Sequence, residues 1–132
     1  MEEALTAHLL ADPALGGLVG PRIFWGERPQ GQPLPAVVLL VVDGNPDYAM
    51  RGATGLKNTR LQVDCWGRSY SEARQVANAA SDALHGFLGL RGSVDVQASF
   101  LDAERDLSEN SGEGGRLFRR SLDFILWHGK GV

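Results

Sequence analysis

The sequence predicts an α+β fold: a mostly antiparallel sheet with two helices packed on one face and long hairpin loops projecting from it. Three stretches carry that expectation. Residues 59–88 read as strand, tight turn and amphipathic helix in direct succession. Residues 94–101 and 116–128 alternate as two strands of one hairpin. Residues 36–42 make an apolar run of strand length, suited to burial on both faces. Hairpin-connected strands with few helices define an α+β layer.

The first stretch organises the chain. Leu61, Val63 and Cys65 point one way; Arg60, Gln62, Asp64 and Trp66 point the other. Gly67 and Arg68 form the corner. Ser69 or Ser71 then caps a helix, because a serine oxygen accepts a bond from a free first-turn amide. Ser69 with Glu72 has capping-box spacing. Ala73, Val76, Ala77, Ala80, Leu84 and Phe87 or Leu88 recur at steps of three and four, the stripe a helix buries against a sheet.

Around this unit the elements follow in order. Glu2 to Leu10 reads as a short helix whose two acids suit the positive end of its dipole. Asp12-Pro13 is an N-cap followed by proline at the first helical position, opening a short turn through Leu15 to Val19. Arg22 to Trp25 is a short strand. Gly26 to Pro35 carries too many prolines for a central ladder and reads as a surface connector. Ala36 to Asp43 is expected to lie centrally in the sheet. Asp43 to Leu56 is a long polar connection, of a length usually found in functional loops. Val94, Val96, Ala98 and Phe100 are expected to face inward. A second acidic, glycine-rich loop is expected over 102–115. In the last strand Phe118, Leu122, Phe124 and Leu126 share one face, and Arg119, Ser121, Asp123, Ile125 and Trp127 the other.

Composition bounds the function. One domain over 1–132, with 43% apolar and 22% charged residues, is an ordinary globular chain with a real core. A net charge of -3 argues against a general nucleic-acid binder. One cysteine excludes an internal disulfide and a four-cysteine zinc site. The acidic start, Met1-Glu2-Glu3-Ala4, is not that of a signal peptide, and Ala36 to Val42 is too short to cross a bilayer. The expectation is a chain made in the cytosol, with no membrane contact.

No catalytic or metal site emerges, and no cofactor is expected. Cys65 sits on an inward strand face and reads as a small buried hydrophobe. His8, His85 and His128 lie on different elements without ligand spacing. The acids between Asp102 and Glu113 lack calcium-loop spacing. Arg116, Arg119 and Arg120, with Arg105 opposite, form the one basic cluster; it either touches nucleic acid or pairs with acids across the hairpin. The positive signal is two long loops bearing large side chains, which suggests a subunit completed by its neighbours. Candidate contacts are Tyr48, Met50 and Arg51 in the first loop, Leu107 in the second, and Arg116, Arg119 and Trp127 on the last strand.

Several fragments in this order resemble the family of small phage tail-completion proteins, which includes gene transfer agent homologues. They are Leu9-Leu10-Ala11-Asp12-Pro13-Ala14-Leu15, then Gly20-Pro21-Arg22-Ile23-Phe24, then Pro29 through Val38. Arg60-Leu61-Gln62-Val63-Asp64-Cys65-Trp66, Ser71-Glu72-Ala73-Arg74, Glu104 to Leu107 and Arg119 to Phe124 complete the pattern. The resemblance covers about residues 4 to 128. It implies a tail terminator without catalysis: a homo-hexameric ring that caps the tail tube protein and docks to the neck or stopper protein. Such a ring sits in the virion at the tail–neck junction, is assembled in the host bacterial cytoplasm, and lets DNA pass its lumen without specific binding. The alternatives are another neck component, a stopper or adaptor, and a small cytosolic ligand-binding or enzymatic α+β domain.

The helix stripe is directly testable. Val76→Asp places a charge on the buried side, where each fully buried large side chain contributes about 1.5–3 kcal/mol. The variant is expected to lose its native circular dichroism at 25 °C; a well-folded variant would contradict the helix.

Overall fold

In a computed structural model, the described residues are 2–29, 31–43, 57–91, 94–110 and 116–130. The elements are α1 (Glu2–Ala11), α2 (Pro13–Val19), β1 (Ile23–Trp25), β2 (Ala36–Asp43), β3 (Lys57–Gly67), α3 (Tyr70–His85), β4 (Gly89–Arg91), β5 (Val94–Asn110) and β6 (Arg116–Lys130). The fold class is α+β as expected, with a third helix: the turn opened by Asp12-Pro13 is α2. Its cap is formed by the Asp12 carboxylate, which accepts from the Leu15 N–H at 2.9 Å.

The six strands form one sheet in the order β1-β2-β3-β6-β5-β4. β1 and β2 are parallel and every other pair is antiparallel. β2 is therefore next to the edge strand β1 instead of at the centre, which β3 and β6 occupy. All three helices pack on one face. Leu5 and Leu9 of α1, Leu15 and Val19 of α2, and Val76, Ala80 and Leu84 of α3 meet Val37, Leu39, Leu61, Val63, Cys65, Leu122, Phe124 and Leu126 of the sheet. The predicted stripe of α3 is buried through Leu84, and Phe87, just past the helix, fills the core beside it. Leu88 is left exposed.

The corner between β3 and α3 sets how closely the helix seats. A Cβ on Gly67 would lie 2.5 Å from the Ala73 nitrogen and 3.0 Å from its Cα. The Ser69 side chain accepts from the Glu72 N–H at 3.1 Å, the cap foreseen from sequence. The returning half of the box lands one residue early: Glu72 accepts from the Arg68 N–H at 2.9 Å and from its guanidinium at 2.8 Å. Those bonds from Arg68 hold the Glu72 carboxyl below the usual glutamate range.

Strand β5 departs from its expected alternation. The register slips between Val96 and Ala98 and again between Leu101 and Ala103. Each β-bulge adds one residue to one strand and reverses which side chains face the core. Ala98 and Phe100 therefore point away from the helices with their partners Trp127 and Ile125, and Phe100 is exposed. Ser99 takes the inward place, where its hydroxyl donates to the Leu84 carbonyl at 2.7 Å. The second expected loop is also shorter than its composition suggested, because β5 continues as strand to Asn110. Apart from Asp43, the first long loop lies outside the described residues.

Gly67→Ala should overpack the helix seat. A loss of about 1–3 kcal/mol is expected, read as a lower urea midpoint at unchanged slope.

Candidate assembly surface on the uncovered sheet face

Residues opposite one another in a ladder point to the same face. The rungs Trp66–Arg119–Leu107, Asp64–Ser121–Arg105 and Gln62–Asp123–Ala103 all lie on the face that, among the described residues, no helix covers. So do Arg60–Ile125–Phe100 and Asn58–Trp127–Ala98. The face is mixed: tryptophan, phenylalanine and isoleucine alternate with charged residues.

Its floor is a buried carboxylate. Asp64 is 3% exposed on a face with no described helix above it. It accepts from the Ser121 hydroxyl at 2.7 Å, from the Gln62 amide at 3.0 and 3.1 Å, and from the Arg119 guanidinium at 3.3 Å. Arg119 also lies over the Trp66 ring, 5.0 Å from its centroid. An isolated buried carboxylate would be costly; three donors and a paired cation offset that cost. The polar alternation on β3 and β6 placed these residues on one face from sequence. Their meeting in one rung, and hence the burial of Asp64, depends on a register that sequence does not print.

The arginines of the hairpin resolve the choice left open above. Arg105 pairs with Asp123 at 3.2 Å, Arg120 with Glu104 and Asp106 at 3.2 Å each, and Arg60 with Asp102 at 2.8 Å. Of the cluster, Arg105, Arg119 and Arg120 pair with acids inside the chain. Beside Asp64 an open recess of about 370 Å³ carries Glu27 and Asp64 against Arg28 and Arg119, so it presents mixed charge to a ligand.

The candidate contacts divide. Leu107 and Arg119 are neighbours on the uncovered face and Trp127 lies on the same face toward its other end, beside Ala98; Leu107 is exposed, whereas Arg119 is engaged with Asp64 and Trp66. Arg116 pairs with Asn110 near the end of the hairpin. Tyr48, Met50 and Arg51 lie outside the described residues. Phe100, exposed on this face, was missed because the bulge reverses its direction.

The reactive side chains are occupied structurally. His8 Nε2 lies 2.7 Å from the Ala83 carbonyl, His85 Nδ1 2.8 Å from the Ser81 carbonyl, and His128 Nε2 2.7 Å from the Thr59 hydroxyl. Cys65 is fully buried, and burial pushes its thiol far up from the ordinary range, so it stays protonated.

Comparison with known proteins decides the family. The family described as "Tail completion protein gp17" matches residues 3–129. The chain belongs to that family. A chain in a solved structure titled "Virion of native gene transfer agent (GTA) particle" has the same fold, with a TM-score of 0.72 at 20% identity over 99% of this chain and 95% of that one. No match is found among curated protein sequences. This tail completion protein is accordingly a structural tail or neck protein.

Asp64→Ala would leave Ser121 and Arg119 without their shared acceptor. A loss of roughly 2–4 kcal/mol is expected by thermal and urea unfolding, less than for a fully buried pair because Arg119 is still partly in water. An unchanged melting temperature would contradict the role given to the network.

Proposed function

We propose that this protein is a tail terminator: it forms a hexameric ring that caps the completed tail tube and joins it to the neck of a phage or phage-like particle. The family match over residues 3–129 carries this reading. The likeness of fold to a gene transfer agent virion chain supports placement in a virion, at the tail–neck junction. The tail tube protein and the neck or stopper protein are the partners, and the ring is assembled in the host cytoplasm.

The physical features suit an assembly part. Among the described residues one sheet face has no helix above it, and exposed apolar side chains stand at both sheet edges. Charges on the uncovered face are matched within the chain, and the net charge is -3. A lumen of this character gives DNA little to hold as it slides through. The histidines and Cys65 serve the fold, which supports a structural part without turnover.

Two measurements test the reading. Light scattering of the assembled protein is expected to give six times 14.2 kDa, about 85 kDa. A producing strain lacking this protein is expected to accumulate free heads beside overlong or unattached tails. Normal tails beside heads that leak DNA would identify a stopper instead, and unchanged particles would overturn both.

A further inference from the structure

The two edges of the sheet are stepped, and the step made by β1 is level with a bare stretch of the opposite edge. On one edge β4 covers only Val94–Val96 of β5. Among the described residues, no strand lies beside β5 from Gln97 to Asn110. On the other edge β1 covers only Val37–Leu39 of β2, and no described strand lies beside Leu40–Asp43. The rungs Leu39–Val63–Leu122–Glu104 and Val37–Cys65–Arg120–Asp106 run across the sheet. β1 therefore projects from its edge at the level of Glu104–Asp106, where the opposite edge is bare. β4 projects at the level of Val96, His128 and Lys57, beyond the described end of β2, whose Asp43 is level with Arg60 and Ile125.

Direction agrees with level. Three antiparallel steps separate β2 from β5, so β5 runs opposite to β2 and to β1, its parallel neighbour. A second copy set edge to edge in the same sense would bring its β1 alongside β5 antiparallel, the more stable pairing. The backbone groups are there. By alternation the outward residues of β1 are Ile23 and Trp25; the Ile23 N–H already goes to the Pro21 carbonyl, which leaves the Trp25 N–H and two carbonyls. Bulges and charges commonly blunt sheet edges. Here the bulges end at Ala103, and Glu104, Arg105 and Asp106 just beyond it are held inside the hairpin by Arg120 and Asp123. Large apolar groups stand exposed at both edges at nearly one level, Val41 and Val42 on one and Phe100 on the other.

We propose that the bare edge of β5, from Ala103 to Asn110, receives β1 of a second copy of this chain, so that the sheet continues from subunit to subunit. The inference rests on the ring reading above and names the contact that closes it. Each copy uses two different edges, so the contact is head-to-tail and repeats until the rotation closes. Backbone bonding supplies adhesion, and the level of β1 in the sheet sets it against Glu104–Asp106 of the next copy.

Cysteine pairs test it. The rung Phe24–Val38–Asp64–Ser121–Arg105 places Phe24 of one copy across from Arg105 of the next, on the uncovered face. Phe24→Cys is combined in turn with Arg105→Cys, Ala103→Cys and Leu107→Cys, which brackets a slip of two residues either way. Native Cys65 is buried. After assembly and oxidation, one pair is expected to give a denaturing-gel ladder that rises to six linked subunits. Hydrogen exchange on the unmodified protein should show the amide of Trp25 and the two edge-facing β5 amides that meet the carbonyls of Ile23 and Trp25 slowed at least tenfold in the ring relative to the free subunit. A ring of about 85 kDa with no ladder from any pair and unslowed amides would overturn this contact and leave the ring intact. A ladder that stops at two subunits would overturn it in favour of a symmetric dimer. Failure of the wild-type chain to form any ring would overturn the reading beneath it.

Discussion

Helix α3 lies on the sheet only as deeply as Gly67 permits. The space a Cβ would need there is filled by the backbone of Ala73. That close seat lets a helix whose buried stripe is mostly alanine, with Val76 and Leu84, reach the sheet. The Ser69 cap and the clasp between Arg68 and Glu72 fix where the helix begins. With α3 in place, α1 and α2 can only pack beside it, and the whole helical layer falls on one face. The other face must then be closed by its own side chains. The network around Asp64 is how this is done, with Gln62, Trp66 and Arg119 lying across a carboxylate and a serine.

Much of this was legible where one period governs a stretch. The alternation of β3 and β6, the stripe of α3 and the proline-led start of α2 follow from side-chain spacing alone. The failures share one cause. A bulge is a single inserted residue with no composition of its own, so Val94 to Leu101 reads as regular alternation while Gln97 silently reverses it. Acidic, glycine-rich composition likewise suggested loop from Asp102 onward. Cross-strand pairing to Arg120 and Ser121 keeps that segment in the sheet to Asn110. The candidate surface was half legible: Leu107, Arg119 and Trp127 were singled out, but their common face is a matter of register, and Arg119 is drawn inward by Asp64.

Charge on this chain is spent mostly within it. Arg60, Arg105, Arg119 and Arg120 each meet a carboxylate of their own sheet. The exposed pairs among these, unlike the buried contact of Arg119 with Asp64, add little stability. Their effect is to leave the uncovered face without a strong field of either sign, so that contact depends on outline and backbone geometry. In the ring proposed above, a small part that fits copies of itself and also unlike neighbours gains from that arrangement, since one sign of charge would favour one neighbour over another.

The position of Cys65 bears on life outside the cell. A particle released from its host meets oxygen and no thiol reductant. The single sulfur of this chain is sealed under the helices and kept in its unreactive protonated form. Air neither oxidises it readily nor welds one molecule to another through it, so the joint made during assembly stays chemically as it was built throughout the particle's passage to a new cell.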